Sequence, residues 1–170
     1  KKRGSAYRAP SDGAGFCNMA ASKSAADAIG IASDHAGYGL KASLIGMLRE
    51  RGLEVVDLGT DNSDSVDYPD FANALADAIA EAKVSCGILV CGTGIGIAMA
   101  ANRHRHVRAA ACHDTTEARL ARQHNDANVL SVGACTIGLE VAQDCVRIFL
   151  DTEFEGGTNS RHARRVAKMS

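Results

Sequence analysis

From Ala28 onward the chain alternates short apolar runs with amphipathic stretches, and few folds accommodate that alternation. Runs of five to seven residues at 28–33 (AIGIAS), 53–58 (LEVVDL), 86–91 (CGILVC), 107–113 (VRAAACH) and 128–132 (NVLSV) read as strands. Their apolar character on successive positions suits strands covered on both faces. The intervals carry helical spacing at about 38–51, 69–83, 94–103, 115–123 and 137–150, with a last helix near 160–168. Strand and helix in strict turn predict βα units around a parallel five-stranded sheet, an α/β fold. Pro69 suits the first position of the second helix, where its missing N–H costs nothing. Phe71, Leu75, Ala78 and Ile79 place one apolar stripe of that helix toward the sheet.

The 170 residues fit one domain. Residues 1–27 lack a sustained apolar period and read as a flexible N-terminal extension, with the folded domain covering 28–170. Lys1, Lys2, Arg3 and Arg8 leave a transit peptide open against an upstream or appended tail, and Met19 is an alternative start. Nineteen Lys and Arg against twenty Asp and Glu leave no charge excess for nucleic acid or an anionic membrane. Six cysteines without a Cys-x-x-Cys pair suit a reducing compartment, hence a cytoplasmic protein. The apolar runs are far shorter than the roughly 20 residues that cross a bilayer.

In an open α/β sheet ligands bind beyond the carboxyl ends of the strands. Asp34-His35 follow the first strand, Asp57 to Pro69 the second, Cys91-Gly92-Thr93-Gly94-Ile95-Gly96 the third, and His113-Asp114 the fourth. With Arg122 to Asp126 closing the next helix, these groups are expected to converge at one rim. Three alternate glycines after a buried strand let several backbone N–H groups face one anion, although such turns also serve packing alone. Cys91 favours the functional reading, because a thiol beside a helix N-terminus is driven toward its thiolate; the other cysteines read as packing. A dinucleotide fingerprint fails, since Ile97 replaces the third glycine and the motif follows the third strand.

Asp34 and His35 read either as partners for sugar hydroxyls or as a helix cap with an incidental histidine. His124 is a candidate acid/base beside Asn125 and Asp126. His104 and His106, among Arg103, Arg105 and Arg108, read as a solvated turn. The spacing of His and Cys gives no zinc signature. Arg161 and Arg165, one turn apart, can clamp a phosphate or simply form a solvated basic helix.

Together, Ser33-Asp34-His35-Ala36-Gly37, Asp67-Tyr68-Pro69, Cys91-Gly-Thr-Gly-Ile-Gly, Ala100-Ala101-Asn102, Arg122-Gln123-His124-Asn125-Asp126-Ala-Asn128-Val129 and Glu155-Gly156-Gly157 with Arg161-His162 and Arg165 resemble the type B ribose-5-phosphate isomerases of the ribose/galactose-6-phosphate isomerase group. The resemblance covers residues 28–166 in order. It implies a Rossmann-like three-layer α/β/α sandwich and a homodimer, or a dimer of dimers, with active sites between subunits. It also implies ribose 5-phosphate and ribulose 5-phosphate as substrates in the pentose phosphate pathway, with neither metal nor cofactor. By the same resemblance Cys91 accepts the proton, His124 opens the sugar ring and Thr93 assists. Asp34, His35, Gly92, Thr93, Gly94, Ile95, Gly96 and Asn125 hold the substrate, and Arg161 and Arg165 its phosphate. Cys135 stands where the family usually has a ligand-contacting arginine, a departure that weakens phosphate binding, shifts preference among sugars, or is covered by Arg164 or Arg108. A non-catalytic sugar-phosphate sensor and a six-carbon substrate are the competing readings.

Overall fold

The computed structural model describes residues 28–158 and 160–169; the extension expected at 1–27 lies outside them. Five strands, β1 (Ile29–Ser33), β2 (Val55–Asp57), β3 (Cys86–Cys91), β4 (Ala109–Ala111) and β5 (Val129–Gly133), form one sheet in the order β2-β1-β3-β5-β4. Every pairing is parallel. Between and after them run α1 (Tyr38–Glu50), α2 (Tyr68–Ala80), α3 (Ile95–Ala101), α4 (Thr115–Asn125), α5 (Leu139–Asp151) and α6 (Arg161–Val166). The expected elements are all present, with ends shifted by a few residues.

Strand side chains alternate between two apolar cores. Ile29, Ile31, Ile88, Val90, Leu130 and Val132 pack with Leu44 and Leu48 of α1, Ala118 of α4 and Phe149 of α5. Ala32, Leu89, Cys91 and Val129 pack with Leu75 of α2 and Ile97 of α3. The molecule is therefore the three-layer sandwich expected, with helices on both faces of the sheet. Leu75 lies directly on Gly30 and Gly87, where a Cβ would stand only 2.4 and 2.5 Å from its methyl groups. The deeply buried stripe of α2 is Ala72, Leu75, Ala76 and Ala78, while Phe71 and Ile79 flank it half-buried. Pro69 is the second residue of that helix, after Tyr68, and again no N–H is lost to the ladder.

One local reading changes. His104 and His106 are tied to α2, through Asn73 Oδ1 at 2.9 Å and the Ala76 carbonyl at 2.8 Å, so their turn is anchored to the fold. Asn102 exchanges two hydrogen bonds of 2.8 Å with the backbone of Ala109, occupying the outer edge of β4 as a neighbouring strand would.

Candidate active site

β3 delivers Cys91 to the carboxyl edge of the sheet, and the chain there turns sharply into α3. Gly94 makes that turn at φ +77°, a conformation that disfavours any side chain, and a Cβ would also stand 2.8 Å from the Val132 carbonyl carbon. This conformation aims the Gly94 N–H at Cys91 Sγ, 3.1 Å away. Thr93 Oγ1 accepts the Ile95 N–H at 3.2 Å. Among the described residues the amides of Gly92, Thr93 and Gly96 meet no protein acceptor, which leaves donors for an anion at the mouth of the loop. Cys91 itself is 5% exposed and packs on the α2/α3 face. Its sulfur is thus turned largely inward, but it ends at the amide loop and one loop amide serves it.

Around this loop stand other expected residues. Asp34 is buried and its Oδ1 accepts the Gly37 N–H at 3.0 Å, capping the turn into α1. His35 Nδ1 lies 3.2 Å from both N and O of Val66, which holds the β2–α2 loop against the end of β1. Cys135 is exposed, with its amide donating to the Gly92 carbonyl at 2.8 Å and its sulfur 3.9 Å from where a Gly92 side chain would begin. Tyr68 was not singled out from the sequence beyond its Asp-Tyr-Pro motif. Its ring fills the space beside Gly96, 2.9 Å from where a Cβ would stand.

His124, Asn125, Arg161 and Arg165 are elsewhere. α4 runs back from the carboxyl edge, so its last residues reach the amino edge, where the Asn128 carbonyl accepts from Gly87 at the start of β3. Cys91 ends that same strand, which at ~3.3 Å per residue spans about 17 Å. The single rim expected from the sequence is therefore two clusters, candidate half-sites, at opposite ends of the sheet.

In the second half-site α6 packs on α4 and His162 stacks on His124, with ring centroids 4.3 Å apart and planes within 4°. Burial, then the neighbouring His124 and Arg161, lower the pKa of His162 below the ordinary histidine value. Arg161 and Arg165 are exposed and form no ion pair among the described residues. The C-terminus of α4 is held by Asp126, which binds Arg108 Nη2 at 2.8 Å and the buried Arg122 Nη1 at 3.2 Å. Arg108 is thus engaged rather than free to replace a guanidinium at position 135. Asn125 borders a cavity of about 400 Å³, with Asn102, Val107, Arg108, Ala121 and Met169 among its walls.

His124, His162 and Glu155 place one donor atom each within 4.8 Å of one another, a grouping that sequence spacing does not reveal. The two rings are parallel, so their lone pairs run side by side instead of converging, and Arg161 Nε lies 3.4 Å from His162 Nε2. The arrangement is a ring stack beside two exposed guanidinium groups, not a chelate.

The chain matches the Ribose/Galactose Isomerase family over residues 29–169. It is 46% identical over 142 residues to ribose-5-phosphate isomerase B of Escherichia coli (strain K12), covering 84% of this chain and 93% of that protein. It is 42% identical over 139 residues to D-erythrulose-4-phosphate isomerase of Pectobacterium atrosepticum, covering 81% of this chain and 91% of that protein. Ribose-5-phosphate isomerase B of Clostridium thermocellum superposes with a TM-score of 0.80 at 48% identity, over 83% of this chain and 93% of that one. With the sandwich and the thiol-amide loop in place, the chain belongs to the ribose/galactose isomerase family.

Proposed function

We propose that the chain is an aldose–ketose isomerase that interconverts ribose 5-phosphate and ribulose 5-phosphate through a cis-enediolate, in the pentose phosphate pathway of the cytoplasm. The observation that carries this is Cys91 Sγ beneath the Gly94 N–H, inside a loop with further amides open to an anion. His124 assists opening of the furanose. Cys91 then takes the C2 proton from the linear aldehyde, and the electron pair moves into the enediolate. The amides of Gly92, Thr93 and Gly96 and the Thr93 hydroxyl stabilise the oxygen anion, the hydroxyl proton passes from O2 to O1, and the proton held by Cys91 returns at C1. Loss of one such donor in comparable sites costs about 3 kcal/mol. Asp34, His35 and Asn125 hold sugar hydroxyls, Tyr68 borders the bound sugar, and the unpaired Arg161 and Arg165 hold the phosphate.

This mechanism needs both half-sites, which one chain keeps at opposite ends of its sheet, so the working unit is a homodimer with composite sites. Supporting it, Tyr68, Ile95 and Met99 are 39%, 45% and 67% exposed on α2 and α3 beside the loop, an apolar surface suited to a second copy. The free thiols among the described cysteines fit a reducing cytoplasm.

Incubation with ribose 5-phosphate in deuterated water tests the reading. Deuterium incorporation at carbon together with ribulose 5-phosphate formation is expected; binding without exchange would instead identify a sensor. Because a family member is named for a four-carbon substrate, kcat/KM across four-, five- and six-carbon phosphates is the measurement that fixes chain length, with the five-carbon sugar expected to lead.

A further inference from the structure

We propose that Ser131 is a positioning residue for the Cys91 thiol: a buried hydroxyl on β5 that clamps Gly94 and so keeps its N–H on the sulfur. The proposal deepens the reading of Cys91 as the base and rests on it. Ser131 is wholly buried in a strand otherwise made of Val129, Leu130, Val132 and Gly133. A hydroxyl in such surroundings is costly unless it is bonded, and Ser131 Oγ donates to the Gly94 carbonyl at 2.6 Å. Burial alone does not secure such a partner in this sheet, since Ser33 Oγ is equally buried and has none among the described residues.

Gly94 is the residue most in need of a clamp. Lacking a side chain, it has the widest conformational freedom of any residue, and here it sits at φ +77° and ψ −11° with its N–H on one side aimed at Cys91 and its carbonyl on the other. Fixing the carbonyl fixes the amide, because only two torsions separate them. Close contact with the Val132 backbone brings the loop within reach of the hydroxyl, and Thr93 Oγ1 takes the next N–H, that of Ile95. Without the hydroxyl the buried carbonyl loses its side-chain partner, and Gly94 relaxes by rotation that carries its N–H off the sulfur.

The test is Ser131→Ala in the full-length protein, with Ser131→Thr as the conservative variant that keeps the hydroxyl. In Ser131→Ala, kcat is expected to fall about tenfold with KM nearly unchanged, since small misplacements of reacting groups carry large rate penalties, while the thermal midpoint drops by no more than about 5 °C. The rate of iodoacetamide labelling at Cys91, measured by peptide mapping relative to exposed Cys135 in the same sample, is expected to fall with it, and Ser131→Thr to restore both. An unchanged labelling ratio overturns the proposal whatever happens to turnover, because it shows the thiol indifferent to the clamp. Unchanged kcat with an altered ratio overturns it as well, and so does failure to label Cys91 in the wild type. Full activity in Cys91→Ala refutes the base assignment instead, and the labelling ratio still reports separately on the clamp.

Discussion

The imidazole of His162 lies flat on that of His124, 4.3 Å between centroids, and is the buried member of the pair. Burial first, then His124 and Arg161, lower its pKa, so the folded protein binds a proton there less readily than the unfolded chain. The stability this contributes is present above the ordinary histidine value of about 6.5 and is lost as pH falls toward the lowered folded value. Thermal midpoints measured from pH 8 to pH 5 should therefore decline through the lower half of that range. His162→Phe, which keeps a stacked ring but cannot titrate, should flatten the decline.

Separation of Cys91 from His124 within one chain makes complementation a decisive experiment. Cys91→Ala alone should lose turnover while still binding the sugar phosphate, and His124→Ala should be severely impaired. Unfolded together and refolded as a mixture, the two should recover about a quarter of wild-type activity, because half the dimers are mixed and each of those holds one intact composite site. Recovery no greater than the sum of the separate variants would show that the residues do not share a site across copies.

Among the described residues Arg165 forms no ion pair, and it is exposed on α6, the helix whose His162 stacks on His124. Arg165→Ala should raise KM for the phosphorylated sugar by about tenfold or more with a smaller effect on kcat, as expected where a charged contact binds ground and transition states alike. Inorganic phosphate should lose inhibitory potency in parallel, which steady-state inhibition measures directly.

Thiol reactivity should divide the cysteines by environment. Burial, aided by neighbouring acidic groups, pushes Cys112 up to about 12 and Cys145 up to about 11. At pH 8 both should resist iodoacetamide in the native protein, whereas exposed Cys135 should label quickly. Mass-spectrometric peptide mapping over a time course checks this, and early labelling at Cys112 would contradict the burial described.

What could be read from the chain before its structure was what is local. The strands announced themselves as apolar runs, and the loop after Cys91 by glycines spaced where a turn needs them. Helix lengths followed from apolar spacing, though in α2 the innermost stripe sets Leu75 among three small alanines that hydropathy ranks below Phe71 and Ile79. The pattern did not reveal which end of the sheet His124 occupies, because that depends on following α4 back along the strand it covers. Nor did it show the partners brought together by folding: Ser131 and Gly94 are 37 positions apart, and the stack of His124 on His162 joins two helices. The half-sites contain residues whose types were legible and whose grouping was not, since motifs record neighbours along the chain and the sheet rearranges them.

At the far side of the sheet, the carboxamide of Asn102 satisfies both backbone groups of Ala109 that face away from β5. An incoming strand finds those positions already taken, so at Ala109 this edge of the sheet has nothing to offer a passing backbone.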